Sequence, residues 1–338
     1  MAAPDPQTET LTIEAATALI TQALEAAGAP TPAAASVARA LVAAEAEGQV
    51  GHGFSRLADY AAQVKSGKVR AGATPVCNAD GPGALHVDAG DGFAYPALEL
   101  AIAQLCGAAE AQGCAMVSIT RSHHCGALSI QVEKIAQAGL IGIMMANSPP
   151  AIAPWGSHQP VFGTNPIAFA APRRDAPPLV IDLSLSRVAR GKVMHAKKSG
   201  AEIPLGWALD AAGAPTSDPE AALAGSMVPI GEAKGSALAL MVEILVASLA
   251  GANPSREVAS FFTADGPPSG AGQFLMALRP REGFAARIEP LLNHIASLDG
   301  TRLPGKRRAE AIAQAHANGL SVPRHYLDAA RAMAAAGG

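Results

Sequence analysis

No GxGxxG follows a strand in this chain, no GxxxxGK leads into Ser or Thr, and neither HExxH nor GxSxG occurs. Those absences remove a Rossmann fingerprint, a P-loop, a zincin and a serine-hydrolase elbow. Cysteine is scarce: Cys77, Cys106, Cys114 and Cys125 show no CxxC spacing, and the N-terminal MAAPDPQTET has no basic region followed by an apolar one. A disulfide framework and a secretory leader are disfavoured, so a reducing cytoplasm is expected. Positive charge is not in excess, with a net charge of −3 and a pI near 6.3, which argues against nucleic acid or an anionic membrane as a partner. Aromatic residues make up only 4%. The most apolar stretch, Ser236 to Ala250, is too short to span a bilayer and contains Glu243, so it reads as a buried helix.

Apolar material is nevertheless ample. Of 338 residues, 49% are hydrophobic, enough for a large core and for roughly two domains. The chain begins with helical patterns over Thr12 to Gly28, Thr31 to Gly48, where Thr31-Pro32 supplies an N-cap and first-turn proline, and Arg56 to Ser66; the start reads as all helix. Between Gly83 and Pro280, β-rich runs (Ala84 to Val87, Cys114 to Thr120, Leu140 to Ala146, Ile167 to Ala171, Leu179 to Ile181, Gln273 to Leu278) alternate with helices such as Tyr95 to Gln112 and Ile130 to Ala138. Three more helical stretches follow, Phe284 to Leu298, Arg308 to Ala317 and Arg324 to Ala335. The fold class is therefore α/β. Both ends are expected to form one helical domain, residues 1–70 with 299–338, beside a sheet domain over 71–298.

Four segments carry chemistry. The run Gly163 to Lys192 places the turn Gly163-Thr164-Asn165-Pro166 before two short apolar strands, with Asp182 at a strand end, Ser184 and Ser186 beyond it, and Arg190 and Lys192 nearby. Taken alone, it fits either an active-site segment or an ordinary hairpin with a solvated basic end. His52 lies between two glycines, four residues before Arg56. Imidazole suits proton exchange near neutral pH, and a guanidinium fork matches a carboxylate; helical spacing would put both on one face. The bland reading is a capping histidine beside a surface arginine. His123 and His124 sit between a strand and a helix beginning near Leu128, where α/β proteins place ligand contacts, and the amides of Cys125, Gly126, Ala127 and Leu128 would suit a pyrophosphate or carboxylate. One of the pair could instead be a hydrogen-bonded core histidine. No acidic residue lies at metal-ligand spacing, so no metal is expected. His195, downstream of Lys192, is the remaining histidine in these clusters.

GHGFSRLADY, SHHCGAL, APWGSHQPVFGTNPIAFAAPR, IDLSLSRVARGK, IPLGWALD and EAKGSALALMVEIL occur in that order. Together they resemble the malate/L-lactate dehydrogenase type 2 family over nearly the full length. The resemblance implies an NAD(P)H-dependent oxidoreductase of small 2-oxo or 2-hydroxy acids, with a branch reducing cyclic ketimines. It further implies a non-Rossmann nucleotide-binding fold around a largely antiparallel sheet, and a homodimer. By motif position, His52 resembles the family's proton donor, Arg56 its carboxylate anchor and Thr164 a substrate contact, while His124 resembles an active-site acid or base. Cys125 to Leu128, Asp182, Leu183, Ser184, Arg190, Gly191, Lys234 and the turn Pro304, Gly305, Lys306, Arg307, Arg308 match cofactor-contacting positions.

Departures from the pattern also inform. Gly51 stands where many members carry serine, removing a hydroxyl from any relay with His52. Ala233 replaces a histidine common in the family. Lys192 stands where ketimine reductases carry aspartate, and follows the ARGK pattern of hydroxy-acid members; a cation there would stabilise a developing alkoxide or hold a second anionic group. The expected reaction is hydride transfer between nicotinamide C4 and C2 of a small acid, with His52 exchanging the proton. Two alternatives stand beside it: a ketimine reductase, and a nucleotide-binding module without turnover.

Overall fold

The computed structural model describes residues 7–336; the first six residues, part of the segment read for a leader, lie outside the described residues. The start is not all helix. Strand β1 (Thr8–Leu11) pairs antiparallel with β11 (Leu320–Pro323), Thr8 opposite Pro323, and ties the two ends of the chain together. Thr12 then caps α1 (Ile13–Ala26) by accepting the Ala15 N–H at 3.1 Å. Helix α2 (Thr31–Ala46) follows with proline in its first turn. Its alanines leave little steric bulk, so it buries nearly all round among Ile20, Leu24, Leu57, Tyr60, Val322 and Leu327. Helix α3 (Leu57–Ser66) ends at Gly67 in the left-handed region. Tyr60 and Leu57 fill that same core, which the C-terminal helix α11 (Arg324–Ala335) closes.

The central sheet has seven strands, β2 (Val76–Gly81), β3 (Ala84–Asp88), β4 (Cys114–Ser122), β5 (Ile141–Ala146), β6 (Ile167–Ala171), β7 (Leu179–Leu183) and β10 (Ala271–Leu278), in the order β2-β3-β4-β10-β5-β6-β7. Only β3 and β4 run parallel, joined through α4 (Ala94–Gln112); every other neighbouring pair is antiparallel. The architecture is thus α/β with a mostly antiparallel sheet. Both faces are covered: along β10, Leu275 and Ala277 join the core under α4 and α5 (Leu128–Gln137), while Phe274 and Met276 join the opposite core. Side chains alternate across a strand, so a strand covered on both faces has no polar side and reads as a continuous apolar run.

Beyond β7 lies a small lobe of α6 (Arg190–Ser199), β8 (Ala208–Leu209), α7 (Pro219–Ala224) and β9 (Ser226–Met227), in which β8 pairs with β9. It leads into α8 (Ala233–Glu243). After the sheet come α9 (Phe284–Ser297), held by the paired Arg173–Glu289 contact at 2.9 and 2.7 Å, and α10 (Lys306–Asn318).

The expectation of a buried helix over Ser236 to Ala250 requires correction. Helix α8 gives way to a π-helical turn over Ile244–Leu249, and only the face with Ala239, Val242, Val246 and Ala247 is buried. Leu238, Leu240, Met241, Ile244 and Leu249 are 40–58% exposed in this chain. Glu243 turns inward instead, accepting a hydrogen bond from Asn165 Nδ2 at 3.0 Å and one from Ser255 Oγ at 2.7 Å. Among the described residues no helix is long and apolar enough to cross a membrane.

Candidate active site

His52 and Arg56 do not share an α-helical face as their spacing suggested. They end two successive 3-10 turns, Val50–His52 and Phe54–Arg56, separated at Gly53. A side chain at Gly53 would overlap the Glu45 carboxylate; without one, Glu45 reaches beneath the loop and accepts the Phe54 N–H at 2.9 Å. Burial raises the Glu45 carboxyl to about 7, even though the Phe54 hydrogen bond works against the shift. Arg56 folds back to donate from Nε to the Gly51 carbonyl at 2.8 Å, and its guanidinium lies 4.7 Å from the centre of the Phe262 ring. The loop bearing Phe262 is pinned by Lys68, whose ammonium donates to the carbonyls of Ser260, Thr263 and Asp265 at 2.7–3.0 Å.

The structure brings His124 to this loop. Its ring stacks on His52 at 5.3 Å between centroids, 20° from parallel. Both rings stay partly exposed, whereas His123 is sealed among Tyr60, Phe93 and Phe261 with neither ring nitrogen bonded. His123 is therefore a core histidine, but not a hydrogen-bonded one. His124 Nδ1 lies 2.6 Å from the Tyr60 hydroxyl. His52 Nδ1 is buried without a partner among the described residues. All three imidazoles are held neutral: burial, then the Arg56 charge, lowers His52 to about 4; burial and Lys68 lower His123 to about 3; burial, His52, Arg56 and His123 push His124 well below its ordinary value.

Thr164 belongs to a separate buttress. Its N–H donates to Ser148 Oγ at 3.0 Å, and the next residue, Asn165, adopts a left-handed φ of 39° and anchors the turn to α8 through the Ala239 carbonyl and Glu243. The residues matched to a cofactor divide into three groups. Cys125, Ala127 and Leu128 are buried, so only their main chain is available, and burial pushes the Cys125 thiol up to about 12. Asp182 accepts the Ser129 N–H at 2.8 Å, capping α5, and Gly305, with φ 80°, brings its turn onto the Val180 carbonyl of β7. Arg308 is committed elsewhere, to Glu133 at 2.8 and 3.0 Å and to Glu47 at 2.7 Å. Ser184 Oγ pairs with Ser186 Oγ at 2.7 Å, and Arg190 donates to the Pro150 carbonyl at 3.1 Å.

Lys192, Lys234, Lys306 and Arg307 are exposed, and among the described residues their side chains have no ion pair or hydrogen bond. A Cβ at Gly191 would meet open space, and Leu183 leaves an apolar side chain 39% exposed. Unpaired cations of this kind are the chemistry a polyanionic dinucleotide would use. Glu45, Glu47, Tyr60, Tyr95 and Phe262 escaped the sequence reading. Glu45 and Glu47 lie just before the His52 motif and Tyr60 ends it, while Tyr95 and Phe262 are far from it in sequence; each has the ordinary pattern of a core or surface position.

Comparisons with known proteins identify the family. The family model described as malate/L-lactate dehydrogenase matches residues 11–330. A (2R)-3-sulfolactate dehydrogenase (NADP(+)) of Chromohalobacter salexigens is 46% identical over 96% of this chain and 98% of its own length. A Delta(1)-pyrroline-2-carboxylate/Delta(1)-piperideine-2-carboxylate reductase of Pseudomonas aeruginosa is 40% identical over 85% of this chain and 88% of its own. Among solved structures, the delta1-piperideine-2-carboxylate reductase of Pseudomonas syringae superposes with a TM-score of 0.91 at 36% identity, covering 96% of this chain and 100% of that one. The sulfolactate dehydrogenase of Methanocaldococcus jannaschii gives 0.88 at 26% identity, with 96% of each chain covered.

Two outcomes follow from the site's packing. The unfolded chain binds protons at three histidines near their ordinary pKa of about 6.5, while the folded state refuses them, so stability falls as pH drops below that value. Glu45 opposes this, since the folded state accepts its proton between about 7 and 4.5, and Asp182, raised by burial, opposes it in the same direction, but these are two groups against three. The thermal midpoint, measured by calorimetry at pH 7, 6 and 5, is expected to drop by several degrees across the lower interval; a rise there would contradict the neutral-histidine assignment. Gly53→Ala is expected to lower the midpoint and impair turnover by roughly ten-fold or more, through displacement of His52. Gly51→Ala meets nothing within 4 Å and should melt like the parent; equal melting of both variants would show that Glu45 does not set the loop.

Proposed function

This chain belongs to the malate/L-lactate dehydrogenase family, and we propose that its preferred substrate is a 2-oxo acid bearing a second anionic group, reduced to the 2-hydroxy acid. That it is an NAD(P)-dependent oxidoreductase of small acids follows from the family and its relatives. The observation that carries the site assignment is the stacked His52–His124 pair beside Arg56, two accessible neutral imidazoles next to one guanidinium. Arg56 binds the substrate carboxylate. That contact offsets the positive charge depressing His52, so an acid entering the site raises the His52 pKa and recruits the proton the reaction consumes. When bound, NAD(P)H supplies the hydride to C2. His52 gives its proton to the substrate oxygen, Thr164 and His124 orient the substrate, and Lys192 faces the second anionic group.

In this reading the main chain of Cys125, Gly126, Ala127 and Leu128, together with Asp182, Leu183, Ser184, Arg190, Gly191, Lys234, Pro304, Gly305, Lys306 and Arg307, holds the dinucleotide. Arg308 organises that wall through Glu47 and Glu133. A sheet with a single parallel pair and a chain without GxGxxG support a non-Rossmann binding mode. The four cysteines are free, in keeping with a reducing cytoplasm.

A ketimine reductase is the second reading, favoured by the relative named for that activity at 40% identity. Oxidation of NADH and NADPH against oxaloacetate, pyruvate, sulfopyruvate and the two cyclic imines separates them. Turnover of dianionic oxo acids, with KM raised roughly ten- to hundred-fold by Arg56→Met and cofactor affinity unchanged, is the expected result. Turnover confined to the imines would overturn it.

The exposed apolar face of Leu238, Leu240, Met241, Ile244 and Leu249 supports a homodimer assembled through α8. Light scattering should give twice the chain mass for the parent and a monomer for Leu240→Asp. A parent of single-chain mass would contradict this.

A further inference from the structure

Tyr60 stands on the buried face of α3 and is fully enclosed. Its hydroxyl has two neighbours, His124 Nδ1 at 2.6 Å and the Tyr95 hydroxyl at 3.1 Å. Tyr95, at the start of α4, is 3% exposed. Tyr60 is its one hydrogen-bond partner among the described residues. Over that hydroxyl runs the main chain of Gly126, in the left-handed region with φ 67°, so close that a Cβ there would lie 2.7 Å from the Tyr95 oxygen. The glycine of the His-His-Cys-Gly motif thus seals the far end of a three-member chain.

Each phenol owns one proton, and this restricts the order in which the three groups can bond. If His124 Nδ1 carried a hydrogen and donated to Tyr60, either the Tyr95 proton or the Tyr60 proton would be left without an acceptor in an enclosed site. If Tyr95 donates to Tyr60 and Tyr60 donates to Nδ1, every proton is used. An orphaned buried donor is costly enough to bias the two arrangements by roughly ten-fold or more.

We propose that Tyr95 and Tyr60 form a directed hydrogen-bond chain that fixes His124 as its Nε2–H tautomer, making His124 a neutral hydrogen-bond donor to the reacting oxygen and leaving proton exchange to His52. Burial, the largest cause, holds both hydroxyls above the ordinary tyrosine range, so neither ionises to disturb the order. His124 Nε2 has no partner among the described residues, and the ring is partly exposed beside His52. A neutral donor aimed at a carbonyl oxygen stabilises the charge that develops as hydride arrives at C2, without itself giving up a proton. Tyr60 and Tyr95 are positioning residues, acting through His124. The catalytic part of this inference rests on the oxidoreductase reading above, whereas the tautomer does not.

The test is nitrogen NMR of the full-length protein labelled with ¹⁵N-histidine, with the His124 signals identified by their loss in His124→Gln. The expected spectrum shows a directly bonded hydrogen on His124 Nε2 and none on Nδ1 near neutral pH. Tyr60→Phe should collapse this preference into a mixture of tautomers and reduce kcat by about ten-fold or more while KM for the cofactor holds. Tyr95→Phe should keep the Nε2–H signature, because Tyr60 can still donate. A hydrogen on Nδ1 in the parent protein overturns the proposal, as does an unchanged tautomer in Tyr60→Phe. An Nε2–H signature in a protein inert toward every acid and imine would uphold the chain and defeat the functional reading instead.

Discussion

The reach of the Glu45 carboxylate under the His52–Arg56 loop holds the candidate site together, because two 3-10 turns meeting at a glycine have few backbone hydrogen bonds of their own. Glu45 comes from the last turn of α2, a helix packed on nearly every side, so the loop inherits the rigidity of the helical core. Two residues further on, Glu47 ties the same helix end to Arg308, Ser129 and Gln49. One helix terminus therefore registers the loop proposed for proton exchange against the wall proposed for the dinucleotide. Registration of this kind matters in hydride transfer, where donor and acceptor carbons must meet at fixed distance.

Electrostatically the site is poised around uncharged imidazoles. Burial keeps protons off all three histidines, helped by the Arg56 charge at His52, by Lys68 at His123, and by His52, Arg56 and His123 at His124. Asp59 faces Arg56 only at 3.5 Å, so in the proposed reading a substrate carboxylate takes up the rest of the guanidinium's charge. Under the proposed roles, substrate recognition and proton recruitment become one event, since a carboxylate bound at Arg56 also removes one of the causes depressing His52. Sealed completely, His123 contributes to this field and to the packing of Tyr60, Phe93 and Phe261, but cannot reach a ligand.

Much of this was legible in the residues. Glycines around His52, the His-His-Cys-Gly run at a strand–helix junction and the Gly-Thr-Asn-Pro turn announced themselves because backbone freedom and polar side chains are unusual inside apolar patterns. The strands and helices expected in the sheet region lie within a few residues of their expected bounds, but the edge strand β2 and the lobe of α6, β8, α7 and β9 carry no signal that separates them from loops. The β1–β11 pair was not legible, since its strands are four residues each and gain their register only by meeting across the whole chain. Neither was the open side of α8: an apolar helix looks the same in sequence whether its outer face meets its own core or another surface. Tyr60 and Tyr95 were hidden for a related reason. On a helix, a tyrosine bonded to a histidine has the same pattern as one that merely fills space. Glu243 was read only as a charge interrupting an apolar run, and the structure makes it the anchor of Asn165 and hence of Thr164.

The central claim is that an acid bound at Arg56 raises the affinity of His52 for a proton. Calorimetric titration of oxalate, an unreactive mimic, into the NADPH-loaded protein near pH 6, repeated in buffers of different ionisation enthalpy, reads that linkage directly. The account predicts a buffer-dependent heat corresponding to uptake of a substantial fraction of about one proton per site, abolished in His52→Gln. Binding with no proton uptake would contradict it.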